Sequence, residues 1–109
     1  MAEKRRIRYT PAAVDDLDAL FNFISEDNRS AALKMADNIE YAILKLATNP
    51  RLGAVLPSDE PARRTSAFRT IVVKPYIVFY RIVNDDVIVA RILHSRQDWM
   101  QLLFADDFQ

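Results

Sequence analysis

Residues 76–99, YIVFYRIVNDDVIVARILHSRQDW, decide how the rest of this sequence is read. Two runs rich in Val, Ile, Tyr and Phe flank Asn84-Asp85-Asp86, a pattern that predicts a β-hairpin closed by an acidic turn. A polar tail follows, with His94, the one histidine of the chain. Strand periodicity sorts the hairpin into two faces. With an even loop, Ile77, Phe79, Arg81, Ile88, Ala90, Ile92 and His94 share one face, and Tyr76, Val78, Tyr80, Ile82, Val87, Val89, Arg91 and Leu93 share the other. Arg81 and Arg91 are therefore expected on opposite faces. Each sits among apolar neighbours, where a guanidinium needs a carboxylate, a helix terminus or a partner. A salt bridge to an Asp or Glu of the preceding segments is the structural expectation for one of them.

Upstream, Arg6-Ile7-Arg8-Tyr9 alternates polar and apolar and predicts a short edge strand. Thr10-Pro11 marks a helix start, Thr as N-cap and Pro at the first helical position. Asp15 and Asp16 suit the positive end of the helix dipole. Val14, Leu17, Leu20, Phe21 and Ile24 give one apolar stripe to about Glu26. After a turn at Asp27-Asn28-Arg29, Ser30 is the expected cap of a second helix running to Thr48. Its buried stripe is Ala32, Ala36, Ile39, Ile43 and Leu46, and Asn49-Pro50 ends it. So short a turn predicts an antiparallel helical hairpin.

Residues 50–64 read as a loop, with prolines at 50, 57 and 61 and the single glycine, Gly53. Ser66 to Val73 then reads as a strand, broken by Lys74-Pro75 before the hairpin. Gln97 to Phe104 has the spacing of one or two helical turns through Trp99, Leu102 and Leu103, and residues 105–109 are expected to fray. The expected fold is α+β and two-layered, one domain over residues 1–109: an N-terminal strand, a helical hairpin, then a three-stranded antiparallel meander (β-α-α-β-β-β).

The composition excludes several chemistries. Cysteine is absent, so disulfides, Cys-based zinc sites and a thiol nucleophile are ruled out. One histidine gives too few ligands for a metal centre. No phosphate loop, dinucleotide fingerprint or helix-turn-helix pattern is present, and no cofactor is expected. Neither a secretory leader nor a membrane-length apolar run is visible, so a cytoplasmic protein is expected.

A net charge of zero conceals blocks: residues 1–10 and 51–81 are basic, residues 11–50 and 82–109 acidic. Arg51, Arg63, Arg64, Arg69 and Lys74, with Tyr76 and Tyr80 near them, suit a nucleic acid or an acidic protein partner. A purely solvated charge pattern produces the same segregation. His94 stands beside Ser95 and four residues before Asp98, but no nucleophile elbow or oxyanion hole accompanies them, which argues against a triad. Two readings of His94 remain: an anchor of the strand end to Asp98 or backbone, and a general acid–base group acting on RNA.

Taken together, Thr-Pro-Ala-Ala-Val-Asp-Asp-Leu at 10–17, Leu-Ala-Thr-Asn-Pro-Arg-Leu-Gly at 46–53, Phe68-Arg69 and the hairpin YxVFYRIxxDxVxVxRILHxRxDW resemble the ParE branch of the RelE/ParE toxin superfamily. The resemblance runs from Ile7 to about Leu103. It implies a type II toxin, neutralised by a ParD-like antitoxin that also supplies operator DNA binding, and inhibition of DNA gyrase without enzymatic chemistry. A RelE-like ribosome-dependent mRNA endoribonuclease is the alternative; it would draw on Arg69, Lys74, Arg81 and His94. For the ParE-like reading the target-binding candidates are Arg69, Lys74, His94, Arg96, Asp98 and Trp99. The resemblance also implies that antitoxin covers the helices, with Leu33, Met35, Tyr41 and Leu44 as candidates.

Overall fold

Thr10 does what its position predicts: its hydroxyl accepts a 3.0 Å hydrogen bond from the Ala13 amide and opens helix α1, Pro11–Asp27. The structure, a computed structural model, describes residues 4–56 and 68–104. Helix α2, Arg29–Leu44, follows after Asn28 alone, so the turn is one residue rather than three. Asn28, not Ser30, caps α2: its side-chain oxygen accepts from the Ala31 amide at 3.0 Å. Its own amide donates to the Ile24 carbonyl at 2.9 Å and closes α1. One residue thus serves two helix ends. Asn28→Ala is expected to cost about 1 kcal/mol in urea denaturation, while Asn28→Asp stays close to the parent.

A 3₁₀ turn at Lys45–Ala47 continues α2 to Thr48. The strands are β1 Ile7–Tyr9, β2 Ala54–Val55, β3 Arg69–Val73, β4 Tyr76–Val83 and β5 Asp86–His94, and Trp99–Phe104 forms helix α3. They make one sheet in the order β1-β5-β4-β3-β2, with β1 parallel to β5 and the other pairs antiparallel. The fold is α+β, as expected, with one addition: β2 lies inside the segment read as loop. Of that segment and the strand after it, residues 57–67 lie outside the described residues, including Asp59, Glu60, Arg63, Arg64 and Ser66.

The hairpin turn is two residues long, since Val83 pairs with Asp86. Asn84 and Asp85 both take positive φ, 48° and 70°, as the tight turn of a right-twisted hairpin requires. Asp85 pairs with Arg5 and Asp86 lies 3.8 Å from Arg8, so the basic N-terminal block meets the acidic turn.

The loop is even, yet the two faces do not run unbroken. Phe79 pairs with Arg91 and Tyr80 with Val89, which leaves Ala90 as an extra residue on β5. This bulge inverts the alternation beyond it. Tyr76, Val78, Tyr80, Val87 and Val89 stay on the helix-covered face, where Ile92 joins them against Ala13, Leu20, Ile39 and Ile43. His94, opposite Tyr76, comes with Ile92. Arg91 and Leu93 cross to the face that holds Phe79 and Ala90. The expected separation of Arg81 and Arg91 is therefore wrong: they share a face, and His94 lies on the other one.

The helical stripes are otherwise as read, except that Val14 is exposed. On the far face Phe68, Phe79, Ala90, Leu93 and Leu103 form a second, smaller core with Leu56, Trp99 and Leu102 against it. The sheet is thus covered on both sides, thickly by α1 and α2 and thinly by α3.

Candidate functional site

The bulge leaves backbone groups of β5 without a ladder partner, and the start of α1 supplies them. Strand β1 ends at Tyr9 opposite Val89, so β5 is the sheet edge from Ala90 onward. The Thr10 amide donates to the Val89 carbonyl at 3.0 Å, and the Thr10 hydroxyl donates to the Ala90 carbonyl at 2.7 Å. Asp16, half-buried on α1, accepts from the Ile92 amide at 2.9 Å. The same carboxylate takes Arg91 in a two-point grip, Nε at 2.8 Å and Nη2 at 2.9 Å. Arg91 Nη1 reaches the Leu102 carbonyl of α3 at 3.3 Å. A carboxylate, one arginine and a cap hydroxyl thereby join α1, β5 and α3, and Asp16 serves tertiary structure rather than the helix dipole. Arg91 is the arginine with the structural salt bridge.

Among the described residues Arg81 has no such carboxylate. Its guanidinium lies 4.9 Å from the centre of the Phe68 ring, and its Nε is buried without a hydrogen-bond acceptor among the described residues. It lines a cleft of about 460 Å³ with Thr10, Pro11, Ala12, Phe68, Ala90, Arg91 and Leu103.

His94 faces a different cleft, of about 390 Å³, bounded by Asp16, Leu20, Phe23, Tyr76, Ile92 and Gln97. Its ring meets Tyr76 edge-on at 5.4 Å, and its Nδ1 accepts from the Arg96 amide at 3.0 Å. That bond leaves Nε2 to carry the proton of the neutral ring. The Gln97 side chain accepts from the His94 amide at 2.7 Å, and the Gln97 amide returns a 3.0 Å bond to the His94 carbonyl. Backbone, not Asp98, is therefore the anchor. Arg96 and Asp98 are exposed beside it, while Trp99 packs on Phe79 with ring centres 5.5 Å apart.

Arg69 is committed elsewhere: its Nη1 donates to the Gly53 carbonyl at 2.8 Å. The Tyr80 hydroxyl, on a fully buried ring, donates to the Pro50 carbonyl at 2.7 Å and accepts from the Gly53 amide at 2.8 Å. Burial raises the Tyr80 pKa above the usual phenol value, so the donor stays protonated. Tyr76 and Tyr80 are core residues, and the aromatic surface expected beside Arg51, Arg69 and Lys74 does not exist. Lys74 is exposed in the turn between β3 and β4. Arg81 therefore lies on the face opposite His94 and Arg69 at the far end of β3, whereas Lys74 shares the His94 end of the sheet, where the Ser95 amide donates to the Pro75 carbonyl at 2.9 Å.

On the helices, Leu33, Tyr41 and Leu44 are exposed, by 47%, 66% and 64%, whereas Met35 packs against the main core. Leu44 also borders an apolar cleft of about 380 Å³ with Tyr9, Val14, Leu17, Asp18 and Glu40. Among the described residues no group of His, Cys, Asp and Glu could hold a metal ion, and no helix is long and apolar enough to cross a membrane.

Residues 7–99 match the family model described as ParE toxin of type II toxin-antitoxin system, parDE. The chain belongs to the ParE toxin family. A ParE-family protein of similar length, Toxin ParE3 of Caulobacter vibrioides, is 35% identical over 95 residues, covering 86% of this chain and 89% of that one. Y4kP of Sinorhizobium fredii is 33% identical over 101 residues, 92% of this chain and 98% of its own. Among solved structures, a chain of the chromosomal ParDE system of P. aeruginosa superposes with a TM-score of 0.66 at 23% identity, covering 84% of this ParE-family chain and 96% of its own length. A chain of the toxin–antitoxin complex RelBE2 from Mycobacterium tuberculosis gives 0.60 at 22%, covering 86% and 94%. The fold is thus common to ParE and RelE systems. No sequence signal exposed the one thing that rearranges the candidate site, the bulge at Ala90.

Proposed function

We propose that this ParE-family toxin arrests DNA gyrase by binding and not by cutting RNA, and that a ParD-like antitoxin neutralises it. One observation carries the choice: the bulge puts His94 on the helix-covered face and Arg81 on the other. General acid–base cleavage of RNA needs a proton-transfer group and phosphate-stabilising cations within reach of one scissile phosphate. In this chain Arg81 lies on the face of the sheet opposite the histidine, and Arg69 is engaged by a loop carbonyl. That arrangement supports a binding role for the exposed end of the sheet, with Lys74, Arg96 and Asp98 as accessible contacts and His94 holding the turn that presents them. Trp99, packed on Phe79, supports this surface from beneath, while Arg69 holds the Gly53 turn at the other end of β3.

The antitoxin belongs on the helical hairpin, where Leu33, Tyr41 and Leu44 leave apolar surface in water. Met35 contributes by packing α2 rather than by contact. The P. aeruginosa ParDE system and the Mycobacterium tuberculosis RelBE2 complex pair a toxin with an antitoxin, which supports a partner of that kind for this chain. Operator DNA is then reached through the antitoxin.

The test is a supercoiling assay with purified toxin. Gyrase is expected to stop supercoiling relaxed plasmid, His94→Ala is expected to weaken the inhibition without abolishing it, and primer extension on translating ribosomes is expected to show uncut message. Cleavage that depends on His94 would overturn the proposal and establish the endoribonuclease.

A further inference from the structure

We propose that the cleft between the start of α1, the far face of the sheet and α3 is a receptor for one carboxylate on an acidic peptide segment, with Arg81 as its ligand-binding residue. The inference does not depend on which molecule the toxin arrests.

Arg81 carries the argument. A guanidinium closed off at Nε, with no protein acceptor among the described residues, is costly to keep half-buried unless something completes it. Its neighbour Arg91 is neutralised by Asp16. Among the described residues the cleft therefore holds one uncompensated cation. The Phe68 ring covers the guanidinium at 4.9 Å, which orients it, and leaves the two Nη groups as the end available to a ligand. A pair of Nη donors in one plane matches the two oxygens of a carboxylate. Ala12, in the first turn at the positive end of α1, lines the same cleft, where the helix dipole adds to the field.

The walls decide the class of ligand. Pro11, Ala12, Phe68, Ala90 and Leu103 are apolar. They suit a single acidic side chain whose neighbours are apolar. A nucleic-acid backbone instead presents charges at regular spacing and needs several free cations. One cation in an apolar cleft favours the peptide.

The experiment uses the whole chain labelled with ¹⁵N. It is titrated with a blocked peptide holding one glutamate between leucines, with the same peptide carrying glutamine, and with a single-stranded oligonucleotide of equal total charge per site. The glutamate peptide is expected to shift the Arg81 Nε–Hε signal and the Ala12 amide in a saturable way. Glutamine is expected to weaken binding roughly ten-fold, as loss of a charge-assisted pair does. Arg81→Gln is expected to remove the Ala12 response, and Arg81→Lys, which keeps charge but not the planar fork, to weaken it several-fold. Should Arg81→Gln fail to fold, the Lys variant and the two peptides decide alone. Equal binding of the glutamine peptide would make the cleft merely apolar; stronger binding of the oligonucleotide would assign it to phosphate. Either result, or no saturable shift at all, overturns the proposal.

Discussion

Asp16→Ala is expected to be the most damaging single substitution away from the main core, lowering stability by about 3 kcal/mol. The carboxylate satisfies three donors at once: the Ile92 amide, Arg91 Nε and Arg91 Nη2. Removing it strands a backbone N–H on the sheet edge and leaves a guanidinium that is only 22% exposed without its counter-charge. For a domain of this size the loss corresponds to a fall in melting temperature of roughly 10–20 °C. The pair itself is less valuable than its breakage suggests, because two charges were desolvated to form it. Asp16→Ala combined with Arg91→Met is accordingly expected to recover part of the loss. The check is thermal and urea denaturation of the three variants. A double variant as unstable as Asp16→Ala would show that the Ile92 amide, and not the stranded charge, is the main cost.

The second large effect is expected at Gly53. Its φ is not positive, so conformational freedom is not the reason for glycine here. Space is. A Cβ would come within 2.6 Å of the Thr70 carbonyl oxygen, 2.7 Å of the Tyr80 hydroxyl and 2.8 Å of Tyr80 Cε1. The Thr70 oxygen belongs to β3, and Tyr80 is buried in the main core, so neither can retreat cheaply. Gly53→Ala is expected to cost about 3 kcal/mol and to detach the Pro50–Gly53 turn from the sheet. Amide exchange at Gly53, slow while it donates to Tyr80, is the local readout, and urea denaturation the global one. Tyr80→Phe removes one of the three obstructing contacts, but leaves the Gly53 amide and Pro50 carbonyl unpaired, at about 1–2 kcal/mol. If Gly53→Ala costs nothing, the close packing of this turn on β3 and β4 is wrong.

Much of the fold was legible in the residues. Thr10-Pro11 specified a helix start because a hydroxyl cap and a fixed φ act locally. Asn49-Pro50 specified the end of the second helix for the same kind of reason. Ile39, Ile43 and Leu46 are fully buried, since their period places them on one face whatever that face meets. The hairpin turn was legible from Asn84-Asp85-Asp86, although Asp86 proves to open β5 and the turn itself is Asn84-Asp85. Asn28 was read as mid-turn because Ser30 is also a good cap. Sequence cannot rank two caps two residues apart when the choice depends on how tightly the helices pack.

The candidate site was less legible. Arg81, Arg91 and His94 were each singled out as polar residues in an apolar hairpin, yet their grouping failed in a specific way. Alternation is a local rule, and it holds from the turn to Ala90. A bulge shifts its phase by one residue, and nothing in the chemistry of Ala90 announces it. What stabilises the bulge is distant in sequence: the Thr10 hydroxyl on the Ala90 carbonyl and the Asp16 carboxylate on the Ile92 amide, 80 and 76 residues away.

The sequence by itself determined the α+β fold, its two helices and its hairpin, because caps, prolines and periodicity act between near neighbours. Only the tertiary structure decided that Arg91 is spent on Asp16, that His94 turns toward the helices, and that Arg81 shares a face with Arg91 but finds no carboxylate among the described residues. The physical reason is that unpaired donors and acceptors at a sheet edge must be satisfied, and the groups able to do so were at the other end of the chain.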